Sequence, residues 1–261
     1  MEAHMREIPH LFDANVFLGP IFLRHDDTPD DVPRLLAAMD ENGISHALVT
    51  HGLAKWQHPA IGNRRVIEET KGVDRLVPCW VVMPSVTGEL PPERELVAEL
   101  LESGARAARL CTGINRLTLE PFEVDTLLEA LAERRVPLFL DTNNRHWSEP
   151  RPWAFIEWAL RTYPTLPLVL LREPPANYRT LFTLMDRHSN LYIETCYFQG
   201  HDAIALCANR WGADRLVFGS GLPEWDPGMA ITGLTYASFS VEERDMVASG
   251  SLDRLIDNCI V

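Results

Sequence analysis

Apolar residues occur along the chain in short runs that have the length of β-strands. Most of the runs are continuous rather than alternating, which is typical of parallel strands buried on both faces. The pattern therefore predicts eight strands, at residues 11–18, 45–50, 76–83, 105–111, 136–140, 166–171, 191–195 and 215–219.

Between these strands, the apolar residues take the spacing of amphipathic helices. Three of the predicted helices are followed by a glycine (Gly43, Gly72 or Gly104), a common signal just beyond a helix end. Ser240 and Glu243 have the spacing of a capping box at the start of the last helix. The helices are predicted at residues 31–42, 62–71, 92–103, 121–135, 152–163, 178–188, 202–211 and 241–256.

The alternation of strands and helices predicts an α/β fold, a single (β/α)8 TIM barrel that spans residues 1–261. The length of 261 residues is close to the roughly 250 residues typical of this fold. The alternative is a doubly wound open sheet, which usually carries a glycine-rich turn after its first strand. Here that turn reads Gly19-Pro20-Ile21-Phe22, so the barrel is favoured.

The formal net charge of −13 argues against nucleic acid and anionic membranes as partners, because both carry negative charge. No uncharged apolar run has the length needed to span a bilayer. The first ten residues lack the apolar segment of a signal peptide. The five cysteines form no CxxC pair, which favours reduced thiols and a cytoplasmic protein.

Polar residues follow the predicted strands at the end of the barrel where active sites lie. Asp141, Arg172 and Glu194 are the candidate catalytic residues, since each follows an apolar run where a buried charge needs a partner. His51, after the second strand, is a further candidate base. The candidate substrate-binding residues at the remaining strand ends are Asn15, Arg109, Asn143, Ser220 and Glu224.

Several segments, in this order and spacing, resemble the amidohydrolase-related branch of the amidohydrolase superfamily of metal-dependent hydrolases and decarboxylases. Residues 12–19 match the opening strand, where the family carries Asp-x-His-x-His, and residues 215–223 match the strand-eight motif Phe-Gly-Ser-Asp-x-Pro. Shorter matches cover the second helix, the entries to strands three and four, and the closing helix, at 59–63, Asp74-Arg75-Leu76, 104–110 and 240–255.

The resemblance implies that most of the family's metal ligands are replaced in this chain. Asn15 and Phe17 correspond to the two strand-one histidines, and Asp141 and Arg172 to those of strands five and six. Gly221 corresponds to the strand-eight aspartate, a ligand and proton acceptor. A guanidinium about 4 Å from a divalent ion would repel it by roughly 8 kcal/mol at an effective dielectric near 20. No metal and no other cofactor are therefore predicted; Arg172 is expected to take the ion's charge-balancing role by pairing with Asp141, Glu194 or both.

Three functions remain open at this point. The first is a metal-independent hydrolase acting on a small carboxylated substrate, similar to the pyrone dicarboxylate lactonases of this superfamily. In it, Arg172 or Arg109 binds the acid, and Asp141, Glu194 or Glu224 activates water. The second is a non-catalytic barrel that binds a small anionic ligand or a protein partner, an active homologue. The third is a metal hydrolase with a substitute ligand set, drawn from His51, Asp141, Glu194 and Cys196. The sequence leaves open whether the chain forms a homo-oligomer.

Overall fold

Eight parallel strands form a (β/α)8 barrel in a computed structural model that describes residues 10–22, 28–142 and 151–261. Neighbouring strands in the sheet follow one another in sequence. The backbone N–H groups of Ala14 and Phe17 close the barrel by donating to the carbonyls of Phe218 (2.9 Å) and Leu222 (2.8 Å). The strands are β1 (Leu11–Leu18), β2 (Ile44–His51), β3 (Leu76–Val81), β4 (Ala107–Cys111), β5 (Leu138–Asp141), β6 (Leu168–Leu170), β7 (Leu191–Glu194) and β8 (Leu216–Val217). The predicted fold is confirmed.

Helices connect these strands on the outside of the barrel. Those of the described residues are α1 (Val32–Glu41), α2 (Gly52–Trp56), α3 (Pro59–Thr70), α4 (Glu93–Glu102), α5 (Thr112–Asn115), α6 (Pro121–Glu133), α7 (Trp153–Thr162), α8 (Tyr178–Arg187), α9 (Ala203–Trp211), α10 (Pro227–Tyr236), α11 (Val241–Asp245) and α12 (Ser251–Asp257). The sequence pattern did not predict α2, α5 or α10. None of these helices has the length and apolar character needed to cross a membrane.

The last predicted helix, 241–256, is divided in the structure. Its capping box is present, with Ser240 and Glu243 each bonding the other's backbone. A π-helical segment, Met246–Gly250, then separates α11 from α12. Within it, the carbonyl of Val247 accepts a hydrogen bond of 3.0 Å from the backbone N–H of Phe218. The last helix is therefore tied directly to the residue that follows β8.

The barrel interior is built from alternate residues of the strands, because successive side chains of a strand point to opposite faces. A buried apolar cluster takes one or two residues from most strands, among them Leu48, Ala107 and Phe139, and Leu252 and Leu255 of α12 pack against it. Arg109 lies two residues after Ala107 in β4, and Asp141 lies two residues after Phe139 in β5, so each is on the same face of its strand, nearer the C-terminal end. Alternation therefore directs these two charged side chains into the barrel, above its apolar layer.

Helix α2 lies closely against α3 and, through α3, is anchored to the sheet. Gly62 of α3 has no room for a side chain, because a Cβ there would lie 2.0 Å from the backbone nitrogen of Ala54 in α2. Next to it, Asn63 exchanges two hydrogen bonds with the backbone of Val81, at 2.8 and 2.9 Å. The position of α2 relative to the barrel is thus set by a close helix contact and a buried amide.

We expect Gly62→Ala to destabilise the protein by about 2 kcal/mol, because an added methyl group in a tightly packed contact forces the backbones apart. Gly233→Ala in α10 is the matched control, since its Cβ would meet only Ile204 Cδ1 at 3.4 Å. Alanine there is expected to be neutral or stabilising by up to about 1 kcal/mol. Urea unfolding measures both changes. Equal stabilities of the two variants would contradict the close α2–α3 contact.

Candidate active site

A fully buried carboxylate, Asp141, lies at the centre of the polar residues at the barrel mouth. Its Oδ2 is 3.0 Å from the Lys55 ammonium, and its Oδ1 accepts a hydrogen bond from the Arg172 guanidinium. Burial by itself would raise the pKa of Asp141, but the charges of Arg172 and Lys55 outweigh it and hold the pKa well below its usual range. Asp141 is therefore an ionised anchor for two cations and a poor proton acceptor.

Lys55 extends from α2, directly after β2, and its side chain is fully buried. Its ammonium lies 4.8 Å from the centre of the Phe17 ring and 4.6 Å from that of Trp56. It is also 3.8 Å from a carboxylate oxygen of Glu224. Two aromatic faces and two carboxylates thus surround a single ammonium, an arrangement that stabilises a cation away from water.

Arg172 follows β6 and pairs with Asp141, as the sequence analysis predicted. Its guanidinium also lies 3.3 Å from Glu224, whose side chain is 15% exposed and is the more accessible of the two carboxylates. The predicted pairing with Glu194 takes a different form, because Glu194 accepts its 3.0 Å hydrogen bond from the backbone N–H of Arg172. Asp141, Glu224, Lys55 and Arg172 together form what we call the ion-pair cluster.

Arg109 lies beside this cluster with several donors unused. Its Nη2 donates to Asn15 Oδ1, and the guanidinium carbon is 4.5 Å from the centre of the Phe17 ring. Within the described ranges, Arg109 Nε and Nη1 and Asn15 Nδ2 have no hydrogen-bond partner, although all three are buried. An unsatisfied buried donor costs about 1–3 kcal/mol. Arg109 and Asn15, which we call the donor pair, therefore present N–H groups suited to an acceptor from a ligand.

Glu194 is also fully buried, but the polypeptide itself uses both of its carboxylate oxygens. They accept backbone N–H bonds from Arg172 and from Cys196 (2.8 Å). A Cβ on Gly219 would lie 2.2 Å from Glu194 Oε1, so a glycine is needed beside it. Burial raises the pKa of Glu194 to about 7, despite the two N–H donors. Its contacts are those of a residue that organises the ends of β6 and β7.

Ser220 and His51 contact other parts of the barrel mouth. Ser220 donates its hydroxyl and its backbone N–H (2.9 Å) to Asp13. His51 Nδ1 accepts from the N–H of Leu53 at 3.1 Å, and Nε2 lies 3.5 Å from Glu69. Burial lowers the pKa of His51 to about 4. These contacts are structural, and the catalytic and binding roles predicted for His51 and Ser220 stay predictions. Asn143 lies outside the described residues.

The residues of the site do not fit a divalent metal ion. Both oxygens of Asp141 face cations, and the Phe17 ring packs against Lys55 and Arg109. A side chain at Gly221 would need φ near +77° and would place its Cβ 2.8 Å from Cys196 Sγ. In residues 10–22, 28–142 and 151–261, no group of three or more His, Cys, Asp or Glu could hold a metal ion. The substitute set of His51, Asp141, Glu194 and Cys196 does not assemble into one.

Two charged residues of the site were missed from the sequence, Lys55 and Arg151. Lys55 is one of only two lysines in a chain that otherwise uses arginine, and it stands in the segment Gly52-Leu53-Ala54-Lys55-Trp56. An isolated charge among apolar residues just after a strand was the available signal. Arg151 lies next to Arg172 in the structure. In the sequence it stands ten residues after the end of β5, and no sequence pattern connects it with the site.

The amidohydrolase family profile matches residues 23–250. Similar solved structures include an uncharacterised TIM-barrel protein from Bordetella bronchiseptica, with a TM-score of 0.74 and 15% identity. They also include 2,6-dihydroxybenzoate decarboxylase from Rhizobium (0.71 and 15%) and 5-carboxyvanillate decarboxylase from Sphingomonas paucimobilis (0.68 and 14%). Each match covers 95% of this chain and 99% of the other. No curated protein matches the sequence. At sequence identities this low, the structural similarity shows the fold alone.

We expect Lys55→Met to destabilise the protein by about 3 kcal/mol, because it leaves Asp141 and Glu224 with one cation fewer in a buried environment. Lys71→Met, at the exposed second lysine, is the matched control and should change stability by less than about 0.5 kcal/mol. Adding Asp141→Asn to Lys55→Met should recover part of the loss. Chemical denaturation of the wild type and the three variants measures these stabilities. A Lys55→Met variant as stable as the wild type would rule out the ion pair.

The raised pKa of Glu194 predicts a pH dependence of stability. Between about 4.5 and 7, the folded protein retains the Glu194 proton that the unfolded chain releases, so this group's contribution to stability falls as the pH rises. His51, whose pKa is lowered, acts in the opposite direction. The wild type should therefore be compared with Glu194→Gln, relative to which it should lose up to about 1.4 kcal/mol per pH unit. The stability of Glu102→Gln, a change at an exposed position, should depend on pH as that of the wild type does. The same pH dependence in Glu194→Gln would contradict the prediction, because it would mean that the wild-type Glu194 carboxyl is ionised over the whole range.

Proposed function

Because the chain belongs to the amidohydrolase family, we propose that it is a metal-independent, lactonase-like hydrolase that acts on a small carboxylated substrate. The observation that carries this proposal is the donor pair, whose unused N–H groups lie beside the ion-pair cluster. A carboxylate is the ligand group that best matches them, since guanidinium groups bind carboxylates through paired N–H donors.

The charges of the site support an anionic ligand. Lys55, Arg109 and Arg172 are cations, whereas Asp141 and Glu224 are the carboxylates that pair with the first and last of them. Arg109 has a neutral partner, Asn15. The formal charges of these five residues sum to +1, which one ligand carboxylate would balance. Some of the similar structures are decarboxylases, and one of these is bound to 2,6-dihydroxybenzoate, which is consistent with a carboxylated ligand class.

The ion-pair cluster supplies groups for ester hydrolysis. With the substrate carboxylate on the donor pair, a neighbouring ring-ester carbonyl would face the guanidinium of Arg172, which stabilises the developing oxyanion. Glu224 is the general base that the geometry favours, because its side chain is partly exposed. Water adds its oxygen to the carbonyl carbon and gives one proton to Glu224. The ring C–O bond then breaks, and the leaving oxygen takes up that proton.

The second candidate is a barrel that binds the same carboxylate without turnover. It is favoured by the state of the two buried carboxylates: Asp141 is held ionised between cations, and both oxygens of Glu194 accept backbone hydrogen bonds. Cations hold Asp141 ionised and backbone N–H groups occupy both oxygens of Glu194, so neither is placed to take a proton from a water at the substrate, and Glu224 decides between the two functions. A hydrolase needs it as a base, whereas a binding barrel needs it only as a counter-ion.

The proposal is tested with chelator-treated protein and a panel of carboxylated lactones, amides and aryl carboxylates, with turnover and thermal stabilisation measured in parallel. We expect hydrolysis without added metal. Glu224→Gln should lower kcat by about 10²-fold or more and leave binding within a few-fold. Arg109→Met should weaken binding by about 10–100-fold, the effect of losing a charged hydrogen bond.

Arg244→Met is the matched control for Arg109→Met. Arg244 is also buried, lies over an aromatic ring (Phe239, 5.8 Å) and, among the described residues, has an Nε without a partner. It belongs to α11, which packs near the start of β8. Arg244→Met should leave binding unchanged. Stabilisation by a carboxylate without turnover would select the binding barrel. Activity that appears only with added zinc or manganese would overturn metal independence.

A further inference from the structure

The backbone of Arg172 has an uncommon conformation. Its φ is +56°, in the left-handed region, which costs a residue with a Cβ about 1–2 kcal/mol. Such a conformation persists where surrounding groups hold it. Arg172 supplies the guanidinium that pairs with Asp141, so whatever holds its backbone also determines where that guanidinium lies.

Two buried charged side chains hold the backbone of Arg172, one on each side. Glu194 Oε2 accepts from its N–H at 3.0 Å, and Arg151 Nη2 donates to its carbonyl at 2.8 Å. Arg151 comes from the segment just before α7 and has a side chain that is 1% exposed. Burying a guanidinium is costly unless its charge and donors are matched.

The guanidinium of Arg151 connects the chain on both sides of the Asp141–Arg172 ion pair. Its Nη1 donates to the hydroxyl of Thr142, the residue after Asp141, and its Nη2 binds the carbonyl of Arg172 itself. Its Nε lies 3.0 Å from Glu173, the residue after Arg172. Glu173 is in turn held by Asn177 Nδ2 at 2.8 Å. One planar group thus spans the ends of β5 and β6.

We propose that Arg151 is a positioning residue that sets the geometry of the Asp141–Arg172 pair by joining the chain segments that carry the two partners. It touches neither the Asp141 carboxylate nor the Arg172 guanidinium in any hydrogen bond or ion pair recorded among the described residues. Its charge also acts through space on both partners, but its hydrogen bonds reach the pair through the backbone of Arg172 and the hydroxyl of Thr142. The inference rests on the proposed function only in assigning this pair to the active site.

A double-mutant cycle tests this positioning role without any ligand. The coupling between Arg172 and Asp141 is measured from the unfolding equilibria of the wild type, Arg172→Met, Asp141→Asn and the double variant. The cycle is then repeated in an Arg151→Met background. We expect the coupling, expressed as a ratio of equilibrium constants, to fall by at least ten-fold. A residue that only adds stability would lower all four values and leave the coupling unchanged, which would overturn the proposal.

Arg215→Met provides the matched control background. Arg215 is also buried and binds backbone carbonyls, those of Leu191 (2.7 Å) and His188 (2.6 Å), at the other end of the barrel. It should lower stability and leave the Arg172–Asp141 coupling intact. Arg151→Lys keeps a charge and a donor, and it should retain part of the coupling. If Arg151→Met does not fold, the Lys background decides: unchanged coupling there would overturn the proposal.

Binding of benzoate, followed by calorimetry, separates this proposal from the proposed function. If Arg151 acts through Arg172, Arg151→Met should change benzoate binding no more than Arg172→Met does, and it should have no further effect in the Arg172→Met background. Loss of the ion-pair coupling without benzoate binding to the wild type would support positioning and contradict the carboxylate site. Benzoate binding to the wild type, together with an Arg172–Asp141 coupling that Arg151→Met leaves unchanged, would support the carboxylate site and contradict positioning.

Discussion

The structure of the barrel mouth depends on one buried carboxylate held between two cations. Asp141 is fully buried, and its two oxygens face Lys55 and Arg172. Each charge would be strongly unfavourable in this environment without the others, because burial removes the water that would solvate it. The stability of each member therefore depends on the others, and the residues around the cluster bring the partners together and keep them there.

This arrangement is the basis of the proposed anion site. In a metal-dependent barrel, a divalent ion supplies the positive charge that binds and polarises a substrate. Here positive charge comes from side chains on different elements: Lys55 on α2, Arg109 on β4 and Arg172 after β6. Phe17 contributes too, because its ring packs against the cations of Lys55 and Arg109. Among the described residues, Arg109 Nε and Nη1 and Asn15 Nδ2 of the donor pair have no acceptor, and a ligand carboxylate would supply one.

The positions of these cations are set by packing some distance away. The close contact at Gly62 and the amide of Asn63 position α2, and hence Lys55. Arg172 reaches Asp141 from a left-handed backbone that is bonded on both sides. Gly219 makes room for Glu194, one of the two residues that hold this backbone. Several glycines and buried charges that contact no ligand are therefore part of what makes the site.

The sequence by itself determined the barrel, because strand runs and helix periodicity are local patterns that survive in any environment. It also placed Asp141, Arg172 and Arg109 at strand ends, since alternation and strand order dictate where those side chains emerge. For Lys55 it offered only an isolated charge just after a strand, and for Arg151 it offered no signal, because neither ends a strand and each reaches the site through the packing of its own segment. Only the tertiary structure decided that Glu194 bonds the backbone N–H of Arg172 instead of its guanidinium, and that Arg151 bonds the carbonyl of the same residue. Partners of this kind are chosen by distances across the fold, which no spacing along the chain encodes.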